Sequence, residues 1–151
     1  MILHIQEYMF SGWLEPPKII KIGFDDLLIA IKYPNEYIII NTLSVSEQEC
    51  LVKNTLPYTD EERIINDLLT NYGYKSKKVI IYGKNSADPS TDKKAKQLIS
   101  LGFHDVYLYI GGLFEWLLLQ DVYGKGEFPT VGKVGDILAY KPTITFSSFK
   151  S

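Results

Sequence analysis

Three short runs, Tyr37–Asn41, Val79–Tyr82 and Val106–Ile110, are apolar at nearly every position instead of at alternate ones. Strands of that kind have to be covered on both faces, the situation of a parallel sheet between helices. The segments between them carry the matching helical period. Asp25–Ile31 places Leu27, Leu28 and Ile31 on one face and is stopped by Pro34. Thr59–Tyr72 opens with Thr59 and Glu62 at capping-box spacing, and Ile64, Ile65, Leu68, Leu69 and Tyr72 share a face before Gly73. A third helix begins at Asp88 with Pro89 in its first helical position and turns Ala95, Leu98 and Ile99 inward. Leu113–Leu119 reads as a fourth helix, Ile19–Ile22 as a further strand and Ser46–Val52 as a short helix. This alternation predicts an α/β fold with a mostly parallel sheet. In such sheets ligands sit beyond the carboxyl ends of the strands, so the loop after Tyr82 is the expected site.

The chain of 151 residues fits one domain with a real core. Its formal net charge of −2 gives no footprint for nucleic acid or an anionic membrane. Cys50 is the single cysteine, which rules out an intramolecular disulfide and points to a reducing, cytoplasmic setting. The first residues, Met1 to Glu7, lack the basic and apolar regions of a signal peptide. The apolar run Val106–Leu119 is too short to span a membrane and is broken by Gly111, Gly112 and Glu115. The expected organisation is an extension over residues 1–17, closed by Pro16 and Pro17 and packing through Tyr8, Phe10 and Trp13. A domain over 18–141 and a tail over 142–151 follow.

The stretch from Lys78 to Trp116 runs strand, loop, helix, Gly102-Phe103, strand, Gly111-Gly112 and then the aromatic Trp116. In that order and spacing it resembles the second half of a rhodanese domain, and the resemblance extends over roughly Ile19 to Leu119. It implies a three-layer α/β/α fold around a mostly parallel five-stranded sheet, with Gly102, Phe103, Gly111, Gly112 and Trp116 as structural positions. In a working sulfurtransferase of that family the loop opens with a cysteine that carries sulfur as a persulfide. Backbone N–H groups, cations and the start of the next helix stabilise the anion.

At the nucleophile's place, directly after Tyr82, stands Gly83. Asn41-Thr42-Leu43 replaces the family's Asp-Val-Arg, and Lys84–Thr91 contains no arginine; the sole arginine, Arg63, lies in a helix. Asp88, expected at the helix N-cap, would repel an incoming anion, and Lys84 is the loop's only cation. The resemblance therefore implies an inactive module that binds or regulates another protein. Its vestigial loop is Gly83, Lys84, Asn85, Ser86, Ala87 and Asp88, with no cofactor and no metal.

Two alternatives keep the enzyme. Cys50 is the only thiol available as a displaced sulfur carrier, although Glu47 and Glu49 nearby disfavour its thiolate. Ser86 or Ala87 could also mark a loop cysteine that was replaced, although both lie past the family's nucleophile position. His104 reads as a turn residue at the end opposite the site, and His4 has no recognisable partner. One cysteine and two separated histidines give no zinc spacing. Gly83–Ser86 lacks the spacing of a phosphate loop, and Ser90 has no histidine base beside it. A third alternative is a structural role, with a homodimer through Trp116–Phe128. There the helix is apolar all round, and either Val131–Tyr140 or another chain has to cover it.

Overall fold

A computed structural model describes residues 17–71, 73, 76–143 and 145–146. Residues 1–16, with Tyr8, Phe10, Trp13 and His4, lie outside the described residues, as do Tyr72 and most of the expected tail. Strands β1 (Lys18–Ile22), β2 (Tyr37–Asn41), β4 (Lys78–Tyr82) and β5 (Asp105–Tyr109) form a four-stranded sheet in the order β1-β5-β4-β2. Every pairing in it is parallel. Helices α1 (Phe24–Lys32), α2 (Tyr58–Thr70) and α3 (Ser90–Leu101) make the crossovers, and α4 (Gly112–Tyr123) follows the last strand of the sheet. Among the described residues this sheet has four strands where five are expected, and Ile39 makes one further isolated parallel bridge, to Thr55.

Side-chain alternation along the strands divides the interior into two cores. Ile39, Ile80, Tyr82 and Tyr109 face α1 and α4, where Leu27, Ala30, Leu113 and Trp116 meet them. Ile38, Ile40, Val79, Ile81, Val106 and Leu108 face α2 and α3, against Ile65, Ala95 and Leu98. The three layers follow directly from those runs of apolar residues.

Two local expectations are corrected. Ser46–Val52 is not a helix. A 3-10 turn covers Val45–Glu47, and Cys50–Val52 is a strand, β3, paired antiparallel with β6 (Thr130–Gly132). The Thr59–Glu62 capping box does not form, because α2 starts one residue earlier at Tyr58, behind Pro57, and has no side-chain cap. Gly102-Phe103 behaves as expected. Gly102 closes α3 at φ 118°, its N–H reaching Ile99 while the Phe103 N–H reaches the Leu98 carbonyl, a Schellman stop.

The apolar surface of α4 is covered within the chain only in part, since Leu118, Val122 and Tyr123 stay exposed. Val134, Ile137 and Tyr140 pack into the core beside Trp116 and Leu117. Trp116 meets Phe128 edge to face at 5.1 Å between ring centroids, and its indole N–H donates to the Pro129 carbonyl at 3.1 Å. Phe128 is thus buried, whereas the residues before it, Tyr123–Glu127, are exposed. Among the described residues no helix is long and apolar enough to cross a membrane.

Trp116→Ala is expected to lower the unfolding free energy by about 3–5 kcal/mol. Leu118→Lys, at a position 42% exposed on the same helix, should stay within about 0.5 kcal/mol of the natural chain. Denaturant titration of the two variants checks both values.

Candidate functional site

The carboxyl ends of β2 and β4 lie side by side, Asn41 in register with Tyr82. The segments that leave them face each other across a cleft of about 510 Å³, with the exposed Thr143 and Thr145 also in its lining. Asn41 shapes one wall: its side chain accepts the Leu43 N–H at 3.0 Å, while Gln48 Nε2 donates to the Leu43 carbonyl at 2.9 Å. On the other wall Gly83, directly after Tyr82, is buried. Beneath it the Tyr82 hydroxyl accepts the Val52 N–H at 3.1 Å and contacts Thr55 Oγ1 at 2.8 Å.

The centre of the loop is the carboxylate of Asp88. One oxygen accepts the Lys84 N–H at 2.9 Å; the other accepts the Ser90 N–H at 3.0 Å and the Ser90 hydroxyl at 2.7 Å. With Pro89 already in helical backbone geometry, Asp88 acts as the cap of α3, the seat expected from sequence. Partial burial pushes this carboxyl up, but the Lys84 and Ser90 donors outweigh it and hold it below the ordinary value of 3.8. Backbone donors of the kind that cradle an anion at a helix start are thus turned on a carboxylate of the same chain. Gly83 is shaped to fit this arrangement, since a Cβ there would stand 2.5 Å from Asp88 Oδ2 and 2.9 Å from Thr91 Cγ2.

The loop's cation is also engaged. Lys84 Nζ lies 2.5 Å from Glu47 Oε2, and Ser44 Oγ donates to Glu47 Oε1 at 2.7 Å. These two donors, Lys84 first, hold the Glu47 carboxyl below its usual range. Asn85 Nδ2 donates to the Tyr140 carbonyl at 2.9 Å, and the Tyr140 hydroxyl donates to the Glu47 carbonyl at 3.2 Å. From below, the Leu113 and Phe114 N–H groups at the start of α4 reach the carbonyls of Gly83 and Lys84. Gly112, at φ 70°, makes that approach possible, because a Cβ would stand 2.7 Å from the Asn85 Cα.

A parallel sheet with this loop at its carboxyl edge is the setting in which the family comparison becomes informative. The profile of the rhodanese-like domain matches residues 25–119. The chain belongs to the rhodanese-like domain family. Among solved structures, a Bacillus halodurans protein aligns with 21% identity and a TM-score of 0.58 over 98% of each chain. An As-Sb reductase from Leishmania major aligns with 16% identity and a TM-score of 0.55, over 78% of this chain and 88% of its own. A single-domain sulfurtransferase from Saccharomyces cerevisiae aligns with 15% identity and a TM-score of 0.51, over 73% and 98%. At these identities the likeness is one of fold. No curated protein matches the sequence.

In this rhodanese-like frame Lys84, Asn85, Ala87 and Asp88 line the cleft, while Gly83 is buried outside its lining and Ser86 is exposed outside it. Cys50 is elsewhere, buried on β3 with its Sγ 3.8 Å from the Gly132 carbonyl. Burial pushes its thiol up. His104 precedes β5, at the amino edge of the sheet and 3.9 Å from Asp105. Arg63 lies on α2 between Asp60 and Asp67, 3.7 Å from each. Among the described residues no three His, Cys, Asp or Glu side chains gather to hold a metal. Sequence reasoning missed Glu47, Thr42, Ser90 and Tyr140 as parts of the site. Ser44 and Glu47 do carry the spacing of a capping box, which could have flagged the turn at Val45.

A carboxyl held below its unfolded value adds stability above that value and loses it as pH falls through the folded one. Asp88→Asn should therefore be less stable than the natural chain at pH about 7, and the gap should close below pH about 4. Denaturant midpoints across that range check it; a gap unchanged in acid would show that the charge of Asp88 is not its source.

Proposed function

We propose that this rhodanese-like chain is a non-catalytic module that binds another protein through the loop Gly83–Asp88. The observation that carries the reading is the Asp88 carboxylate, which takes the Lys84 and Ser90 N–H groups beside a buried Gly83. Sulfur transfer at such a loop needs a thiolate and donors left for its charge. Here the first residue has no side chain and those two donors are spent. The ammonium of Lys84 is occupied as well, by Glu47.

The two enzymatic alternatives fare worse on the same geometry. Cys50 is buried and its thiolate is disfavoured by that burial, which opposes a role as sulfur carrier. A lost cysteine at Ser86 or Ala87 would have stood on the exposed rim, away from the buried start of the loop. A homodimer through Trp116–Phe128 would have to rely on Leu118, Val122 and Tyr123, because Trp116 and Phe128 themselves are buried. A single unpaired thiol suits the cytoplasm as the place of work.

Transfer of sulfur from thiosulfate to cyanide tests the reading. The natural chain and Cys50→Ser should both form thiocyanate at the uncatalysed rate. Gly83→Cys should also stay silent, since its Cβ meets the Asp88 carboxylate. The double variant Gly83→Cys with Asp88→Ser frees both the space and the amides and is expected to gain turnover. Activity in the natural chain that disappears in Cys50→Ser would overturn the proposal.

A further inference from the structure

Away from the cleft, the sheet face that turns toward α1 is left partly bare. Side chains alternate along a strand, so Lys18, Ile20 and Ile22 of β1 share one face, and by register it is the face of Tyr107 and Ile80. α1 covers that face with Leu27 and Ala30, both buried, but Ile29 on its flank is 47% exposed. Between this flank and the sheet runs a groove of about 200 Å³, lined by Ile22, Ile80 and Tyr107 and by Tyr37 at the start of β2. Ile80 is buried, while Ile22, Tyr37 and Tyr107 are half-buried. Ile20, the register neighbour of Tyr107, is 44% exposed. Apolar groups left half covered in one contiguous patch stand to gain from a further apolar neighbour. The charged lining is confined to Asp26 and Lys78, and the Lys78 ammonium already lies 5.7 Å from the centre of the Tyr37 ring.

The occupant of this groove has to be apolar, compact and close at hand. Its volume falls below the roughly 300–1,000 Å³ of a small-molecule site and suits one large side chain. Residues 1–16 join the described domain at Pro17, immediately before β1, and they carry Tyr8, Phe10 and Trp13. Neighbouring strands stand about 4.8 Å apart, so the groove over β5 and β4 opens within about 10 Å of β1. Trp13 precedes Lys18 by five residues, enough chain to span about 17 Å when extended. A group tethered at such range is present at an effective concentration of order millimolar, which favours it over a free competitor. An indole also matches the lining: its ring suits the faces and edges of Tyr37 and Tyr107, and its single N–H suits the exposed carboxylate of Asp26. We infer that the groove between α1 and the sheet is the seat of the chain's own N-terminal segment, with Trp13 as the anchoring side chain. The seat shares no lining residue with the cleft around Asp88, so its occupation leaves that cleft open.

The test is NMR of the isotope-labelled full chain. Nuclear Overhauser contacts are expected from the Trp13 ring to the methyl groups of Ile20, Ile29 and Ile80, unchanged on dilution. Trp13→Ala should shift the amide resonances of Ile20, Ile22, Asp26, Ile29 and Tyr107 and leave those of Lys84–Ser90 in place. In denaturant titrations Trp13→Ala and Ile29→Ala should each lower the unfolding midpoint, and the double variant should lower it by less than the sum of the two. If a variant loses its dispersed spectrum, the contacts in the natural chain decide alone. Absence of those contacts would overturn the inference, and so would strictly additive midpoints. Contacts that fade on dilution would assign the groove to a second copy of the chain, which overturns it equally. None of these outcomes touches the non-catalytic reading, which the thiocyanate assay decides separately.

Discussion

The covering of β2, β4 and β5 on both faces is the constraint from which the rest follows. Parallel neighbours cannot be joined by a tight hairpin, so each strand is followed by a crossover on one face or the other. Ile38 and Ile40 look one way and Ile39 the other, which gives both helical layers something to bury. The same connectivity gathers the segments after β2 and β4 at one edge of the sheet. The cleft lies there because of topology, before any of its side chains is considered.

Within that edge Gly83 and Asp88 are intelligible only as a pair. The start of a helix leaves backbone N–H groups that need acceptors. In this chain an acidic side chain supplies the acceptor, and it can reach Lys84 only because nothing projects from Gly83. Any side chain at the first loop position would evict the carboxylate, and any anion entering the loop would have to compete with it. The bare first position at Gly83 and the inward carboxylate of Asp88 are two aspects of one local solution. The loop is also held by main chain alone, since α4 reaches it through the Gly83 and Lys84 carbonyls.

Much of the fold was legible in the sequence because its signals are local. The isoleucine-rich runs, the Gly102 stop and the Asp88-Pro89 start each depend on a few adjacent residues, and each forms where expected. The misreadings involve partners distant in sequence. Cys50–Val52 extends as a strand because Thr130–Gly132 pairs with it, and no pattern near residue 50 announces that. Thr59 fails as a cap because the chain turns into the helix at Tyr58. The site was half legible for the same reason. The loop residues follow from their place after a buried strand, whereas Glu47 and Tyr140 reach them from other parts of the chain.

Tyr140 ties the two walls of the cleft together. Its carbonyl holds Asn85 on one side and its hydroxyl holds the Glu47 carbonyl on the other, while its ring is buried in the core. One residue thus acts as a fixed spacer between two loops that the sheet alone would leave independent. A guest wider than the gap must break one of those two hydrogen bonds or lift an aromatic ring out of the interior. The spacing of the two walls is thereby tied to the packing of one aromatic ring.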